Sequence, residues 1–207
     1  MLEKNIESLR GRIPNILDHD RAFKNAVLLP LVEYGGETCI LFEKRASNMK
    51  QQPGEICFPG GGVEDNDSGK AVAAIRETCE ELGLTAEDIE VIAPLDIMVS
   101  PFNLIIYPYV GYIKDYQRIN PNPDEVDSVF YVPINFLLSY QPIFTDMAFK
   151  MDVSQDYPFE LIPQGKDYPF RQSMYPVHFF LWKEHVIWGL TARILNHFLD
   201  LLRKECP

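Results

Sequence analysis

The chain has 207 residues, 46% of them hydrophobic, and a formal net charge of −11, enough apolar content to bury one core as a single domain over residues 1–207. That charge excludes a general binder of nucleic acid or of anionic membranes, since either needs a positive field to recruit phosphate. Any phosphate-bearing ligand must be held locally, by a metal or by a few placed cations.

Residues 1–20 read as an N-terminal helix and linker. Leu2, Ile6 and Leu9 fall at helical spacing before Pro14 interrupts, which suggests a lid or a contact in a homodimer. Two β-prone runs follow, Asn25 to Val32 and Thr38 to Phe42, joined by Glu33-Tyr34-Gly35-Gly36-Glu37, a hairpin signal. Basic residues cluster next at Lys44, Arg45 and Lys50.

The run Phe58-Pro59-Gly60-Gly61 reads as a strand end and turn, and an acidic loop spans Glu64 to Asp67. The spacing then predicts a helix from about Gly69 to Leu82 with Val72, Ile75, Cys79 and Leu82 on its apolar face and Gly83 as its stop. Strand-like segments lie around Val91, at Ile97 to Val99, Leu104 to Ile113 and Val129 to Val132. The order is mixed, without repeated βαβ units. Residues 139–175 read as a loop or insertion, within which DYPF occurs twice by coincidence. The chain closes with a strand, Val177 to Trp182, and a helix from about Val186 to Arg203 striped by Ile187, Leu190, Ile194, Phe198 and Leu201.

Cys39, Cys57, Cys79 and Cys206 form no CxxC pair, so zinc and redox motifs are not expected and the thiols are read as reduced. The N-terminus has no apolar segment of signal-peptide length, and the longest apolar run, Ala26 to Val32, is too short to cross a bilayer. A cytoplasmic protein with neither nucleic-acid nor membrane partners is the expectation. His19, His178, His185 and His197 lack metal-like spacing, and none is assigned catalysis.

The chemistry concentrates in the helix after the glycine turn. Glu77, Glu80 and Glu81 stand at i, i+3 and i+4, so one helical face gathers three carboxylates. Such a cluster repels itself unless a cation joins it. Hard ions such as Mg²⁺ bind one or two carboxylates together with waters and substrate phosphates.

Arg76-Glu77-Thr78-Cys79-Glu80-Glu81-Leu82-Gly83-Leu84 closely resembles the second half of the Nudix box, G-x5-E-x7-R-E-U-x-E-E-x-G-U, with Thr78 as a soft substitution. Counting back, the usual glycine falls on Gly62 and the usual glutamate on Ser68. The coenzyme A pyrophosphatase-like group of Nudix enzymes has an extra residue before the helix and an acidic loop in place of that glutamate. It also has an LLTxR signature upstream, which Leu41-Phe42-Glu43-Lys44-Arg45 resembles, leading through Lys50 and Gly54 to FPGG. Lys50 stands where that signature has arginine. Pro121 to Val126, Val132-Pro133 and Ile187 to Leu195 resemble the group's later segments, so the likeness spans most of the chain.

The resemblance implies an α+β Nudix fold, an α/β/α sandwich around a mixed curved sheet. It also implies a Mg²⁺- or Mn²⁺-dependent pyrophosphohydrolase acting on a small nucleotide substrate, foremost coenzyme A or a derivative, giving 3′,5′-ADP and 4′-phosphopantetheine. ADP-ribose, a nucleotide sugar or a nucleoside triphosphate is the alternative substrate. A non-catalytic Nudix-like sensor is the alternative class, which usually degrades the acidic box. By the same resemblance Glu77 and Glu81 are the leading metal ligands, with Glu80 at a second metal or its water and the Gly61 carbonyl completing the shell. Arg76 orients a carboxylate, Glu125 is the first candidate for general base and Glu80 the second, and Arg45 with Lys50 would hold phosphate.

Overall fold

The computed structural model describes residues 2–205. Cys206 lies outside the described residues, as do the side chains of residues 2–4 and 205. Helix α1 (Leu2–Glu7) is short, and Ile6 and Leu9 are exposed.

Strands β1 (Phe23–Tyr34) and β2 (Glu37–Arg45) form the expected hairpin, but they pair only from Leu31↔Ile40 to Tyr34↔Glu37. Pro30, which has no N–H to donate, sits where that pairing ends. Beyond it the two strands diverge. The short strands β3 (Ile56–Cys57) and β4 (Gly60–Gly62) fill the gap, β3 paired to β2 and β4 to β1. The glycine turn is thereby carried into the middle of the sheet.

Helix α2 (Lys70–Leu82) follows, closed by Gly83 in the left-handed conformation, φ 64. β5 (Ile89–Pro94), β6 (Met98–Ser100), β7 (Leu104–Ile113) and β8 (Val126–Pro133) complete the sheet. Its central order is β3-β2-β1-β7-β5, with β4 on β1, β6 on β7 and β8 on β2. β1 and β7 are parallel and the other pairs antiparallel, so the sheet is mixed as expected.

Period-2 alternation along β1 decides what each face meets. Ala26 and Leu28 pack under α2 against Ala73 and Ala74, whereas Leu29 and Leu31 face the other way. There they join Phe42, Ile106 and the buried stripe Ala192, Leu195, Phe198 and Leu199 of α4 (Gly189–Glu205). One helix on each face gives the α/β/α sandwich.

The expected apolar face of α2 requires correction. Val72 is exposed, and the buried positions are Ala73, Ala74, Thr78, Glu81 and Leu82. Two alanines let the helix approach the sheet closely, and the Thr78 hydroxyl is satisfied by donating to the Ala74 carbonyl at 2.7 Å. Residue hydrophobicity misplaces the face because a glutamate belongs to it.

Residues 139–175 are likewise more ordered than a loop. After α3 (Ile134–Ser139), strand β9 (Ile143–Phe149) pairs with β10 (Ser173–Trp182), which pairs in turn with β11 (His185–Ile187). Ile187 therefore belongs to a strand and not to the last helix. Every β9 residue before Phe149 is exposed, so no burial alternation marks it, and its partner lies more than twenty residues downstream. Between β9 and β10 the two DYPF segments make the same tight turn, with Phe159 N–H donating to Tyr157 O and Phe170 N–H to Tyr168 O. Tyr157 packs on Phe170 with ring centroids 5.8 Å apart, so the repeated tetrapeptide is a structural pair.

Candidate active site

Arg76 is the hub of the box. Its Nε and Nη2 donate to the two carboxylate oxygens of Asp67, each at 3.2 Å, and Nη2 also donates to the Gly62 carbonyl at 3.0 Å. Nη1 donates to Glu77 at 2.9 Å and to Glu80 at 3.4 Å. The expected orienting contact therefore falls chiefly on Glu77. Asp67 accepts the Glu64 N–H as well, and hydrogen bonds from Arg76 and from that amide hold its carboxyl below the usual range.

The carboxylate that secures Arg76 is thus Asp67, one residue before the Ser68 reached by counting. The sequence signal was the acidic loop, which offers several candidates at nearly the same spacing. Replacing Asp67 with asparagine puts an amide against the guanidinium and frees Arg76 to turn. The expected result is an intact fold with kcat/KM lowered ~10–100-fold, the usual range for a side chain that orients a ligand, read by steady-state kinetics beside circular dichroism.

Glu81 accepts the Gly60 N–H at 2.8 Å and is only 4% exposed. Burial, together with the charges of Glu77 and Glu125, pushes its carboxyl from the ordinary 4.5 up to about 8, against the Gly60 hydrogen bond. Burial raises Glu77 too, although Arg76 opposes this. The Glu77 carboxylate lies against Gly61 so closely that any side chain at position 61 would overlap it.

One further carboxyl escaped the sequence reading. Glu43 on β2 is 1% exposed, and burial followed by the charge of Glu81 holds it well above the usual carboxylate range. Period 2 turns Glu43 to the same side as Leu41, which packs with Leu82 and Cys79 of α2. An acid inside the buried run Cys39 to Phe42 was the available signal. Burial and the Glu43 charge also push the Cys57 thiol up, which leaves it inert as a nucleophile.

These shifts set a pH dependence for the cation-free protein. An acid whose folded pKa exceeds its unfolded value binds protons more tightly when folded, so its stabilising contribution is complete below about 4.5 and is lost as pH climbs through about 8. In EDTA the melting temperature should fall across that window. Added Mg²⁺ should raise it most at the alkaline end, as differential scanning fluorimetry will show.

Glu125 precedes β8 in a loop whose backbone bonds to Ala46 and Asn122, and its charge raises Glu43, Glu77 and Glu81 alike. Arg45 lowers Glu43 and Glu81, lies past a register shift between Lys44 and Arg45, and directs its Nε to the Gln51 carbonyl at 3.4 Å. It lines a cavity of about 380 Å³ that also touches Gly60 and is walled by Leu104, Ile106, Leu190 and Ile194. Lys50 is exposed and outside that lining, next to the Gln51 whose carbonyl accepts from Arg45. Tyr175 borders the same cavity, whereas Tyr157, Phe159, Tyr168 and Phe170 pack on one another.

Among the described residues no three ligating side chains close on a point by themselves. The donor set is all carboxylate oxygen and its members resist carrying charge together. These residues fit a hard divalent ion that keeps waters and substrate oxygens in its shell.

A NUDIX domain matches residues 22–148. The chain belongs to the Nudix hydrolase family. Among its Nudix relatives it is 37% identical over 195 residues to the peroxisomal coenzyme A diphosphatase of Mus musculus, covering 91% of this chain and 74% of that protein. It is 29% identical to Nudix hydrolase 3 of Caenorhabditis elegans over 98% of this chain and 83% of that one. A MutT/nudix family protein from Enterococcus faecalis aligns with a TM-score of 0.51 at 14% identity, over 98% of this chain and 70% of that one, a likeness of fold. No helix among the described residues is long and apolar enough to cross a membrane.

Proposed function

We propose that this Nudix hydrolase cleaves the diphosphate of coenzyme A or a derivative to 3′,5′-ADP and 4′-phosphopantetheine, with Mg²⁺ or Mn²⁺ as cofactor. The observation that carries the reading is the cavity: it joins Arg45 and the Gly60 turn to an apolar wall, and so suits a ligand with a phosphate group and a long, weakly polar arm. The similarity to a mouse coenzyme A diphosphatase supports the same substrate class.

In this proposal Glu77 and Glu81 hold the cation, with Glu80 and the Gly61 carbonyl as further oxygen donors. When bound, the cation supplies positive charge against that developing on the phosphoanhydride oxygens. Arg76 keeps Glu77 and Glu80 aimed, and Arg45 grips a phosphate. Glu125 takes the proton from the attacking water as general base. Lys50, exposed and outside the cavity lining, has a role in approach rather than grip. The reduced Cys39, Cys57 and Cys79 suit a reducing compartment such as the cytoplasm. A homodimer would cover the exposed Ile6 and Leu9.

The test is to incubate the purified protein with Mg²⁺ or Mn²⁺ and coenzyme A, ADP-ribose, NADH or dATP, and to resolve the products. Release of 3′,5′-ADP from coenzyme A at the highest kcat/KM is the expected outcome. Preference for ADP-ribose would replace the substrate, and binding without turnover of any compound would replace the enzyme with a sensor.

A further inference from the structure

Glu43 stands on β2 with its whole side chain inside the protein, where the group within hydrogen-bonding reach is another carboxyl, Glu81, a contact two carboxyls make only by sharing a proton. The Glu43 Oε1 is buried without a hydrogen-bond partner among the described residues. Near Oε2 the recorded donor is the Cys57 thiol at 4.0 Å, a weak one. Two of the groups whose fields reach it, Glu81 and Glu125, are carboxyls themselves, and the Arg45 guanidinium directs its Nε to the Gln51 carbonyl. A buried carboxyl kept only for structure is ordinarily surrounded by donors, because leaving one without partners costs the desolvation of each free oxygen. Here the groups that reach it are two carboxyls, a weak thiol donor and one guanidinium turned to a backbone carbonyl. The position is also the threonine of the LLTxR signature, so the carboxyl is an addition of this chain to that pattern.

We infer that Glu43 is a further ligand of the divalent cation, contributed by the sheet to a site whose other carboxylates come from α2 and the loop before β8. The inference rests on the reading that Glu77 and Glu81 hold such a cation. Arg45 opposes the crowding of carboxyls through its field, and a hard divalent ion adds a positive partner bonded directly to the Glu43 oxygens. Glu43, on a central strand pinned between β1, β3 and β8, gives the cation a rigid donor that does not depend on the box helix.

The experiment uses the full chain stripped with EDTA and the metal alone as probe. Mn²⁺ binding is followed by the electron paramagnetic resonance signal of free Mn²⁺, and Eu³⁺ luminescence decay in H₂O and D₂O counts the waters left on the bound ion. Glu43→Gln, which is isosteric, and Glu43→Thr, which restores the signature residue, should each weaken Mn²⁺ binding about tenfold or more and add about one water to bound Eu³⁺. Mn²⁺ affinity within twofold of wild type in the folded variants overturns the role of Glu43 alone. Weaker binding with an unchanged water count also overturns it, reducing Glu43 to a positioning residue for Glu81. A wild-type protein that takes up no Mn²⁺ overturns the cation reading and this inference with it.

Discussion

Glu81→Gln should lower kcat by about a thousandfold, because it removes a charge placed where phosphoanhydride cleavage needs a cation. The helical spacing groups this residue with Glu77 and Glu80, and the structure buries it to 4% exposure beneath the Gly60 amide. That changes the expected effect on stability. The glutamine oxygen can still accept the Gly60 N–H, and the substitution removes an acid raised to about 8 by burial and like charges. In EDTA at alkaline pH the variant should therefore melt at or above the wild-type temperature. Steady-state kinetics with Mg²⁺ and a thermal melt in EDTA check the two halves. Activity within tenfold of wild type would remove Glu81 from the ligand set.

Gly60→Ala should lose about 3–5 kcal/mol of folding stability, the sum of backbone strain and overpacking that cannot relax. Gly60 has φ +148, a conformation that side chains rarely adopt, and an added Cβ would run into the Ala26 carbonyl and the Val27 backbone of β1. Backbone cannot swing aside as a side chain can, so β4 would have to leave β1. Gly61→Ala offers the contrast, since there the obstruction is the Glu77 carboxylate, the free end of a flexible side chain. It should keep most of its stability and lose activity, as Glu77 is pushed from its place beside Arg76. Urea denaturation paired with kcat/KM separates the two, and equal stability losses in both variants would contradict this account.

The difference between these adjacent glycines shows where reading along the chain stops. FPGG announces a turn, and the regular spacing of Arg76, Glu77, Glu80 and Glu81 announces a helical face, because both depend on near neighbours alone. The helix and its Gly83 stop were legible to within a residue and β7 over its full length. The β1–β2 hairpin was legible in its turn, whereas its strands run up to three residues beyond their expected ends. Asp67 was nearly legible, hidden only by a one-residue shift in a loop whose path depends on where Arg76 reaches. β9 was not, because a strand with six exposed residues carries no burial pattern and exists through its partner. Lys50 looked equivalent to Arg45 because both are basic and close in sequence, but Arg45 ends β2 and lines the cavity whereas Lys50 in the following turn does not.

By itself the sequence determined the family, the carboxylate face of the box helix and the presence of strands enough to carry it, since these are set by residue type and local period. Only the tertiary structure decided that this face is partly buried, that Glu43 from another strand faces Glu81, and that Arg45 borders an apolar cavity. Each of those depends on β1 and β2 parting at Pro30 so that the glycine turn can enter between them. Electrostatics then follows from that geometry, because a carboxyl is shifted by its distance from water and from other charges, and neither distance is written in the spacing of residues along a chain.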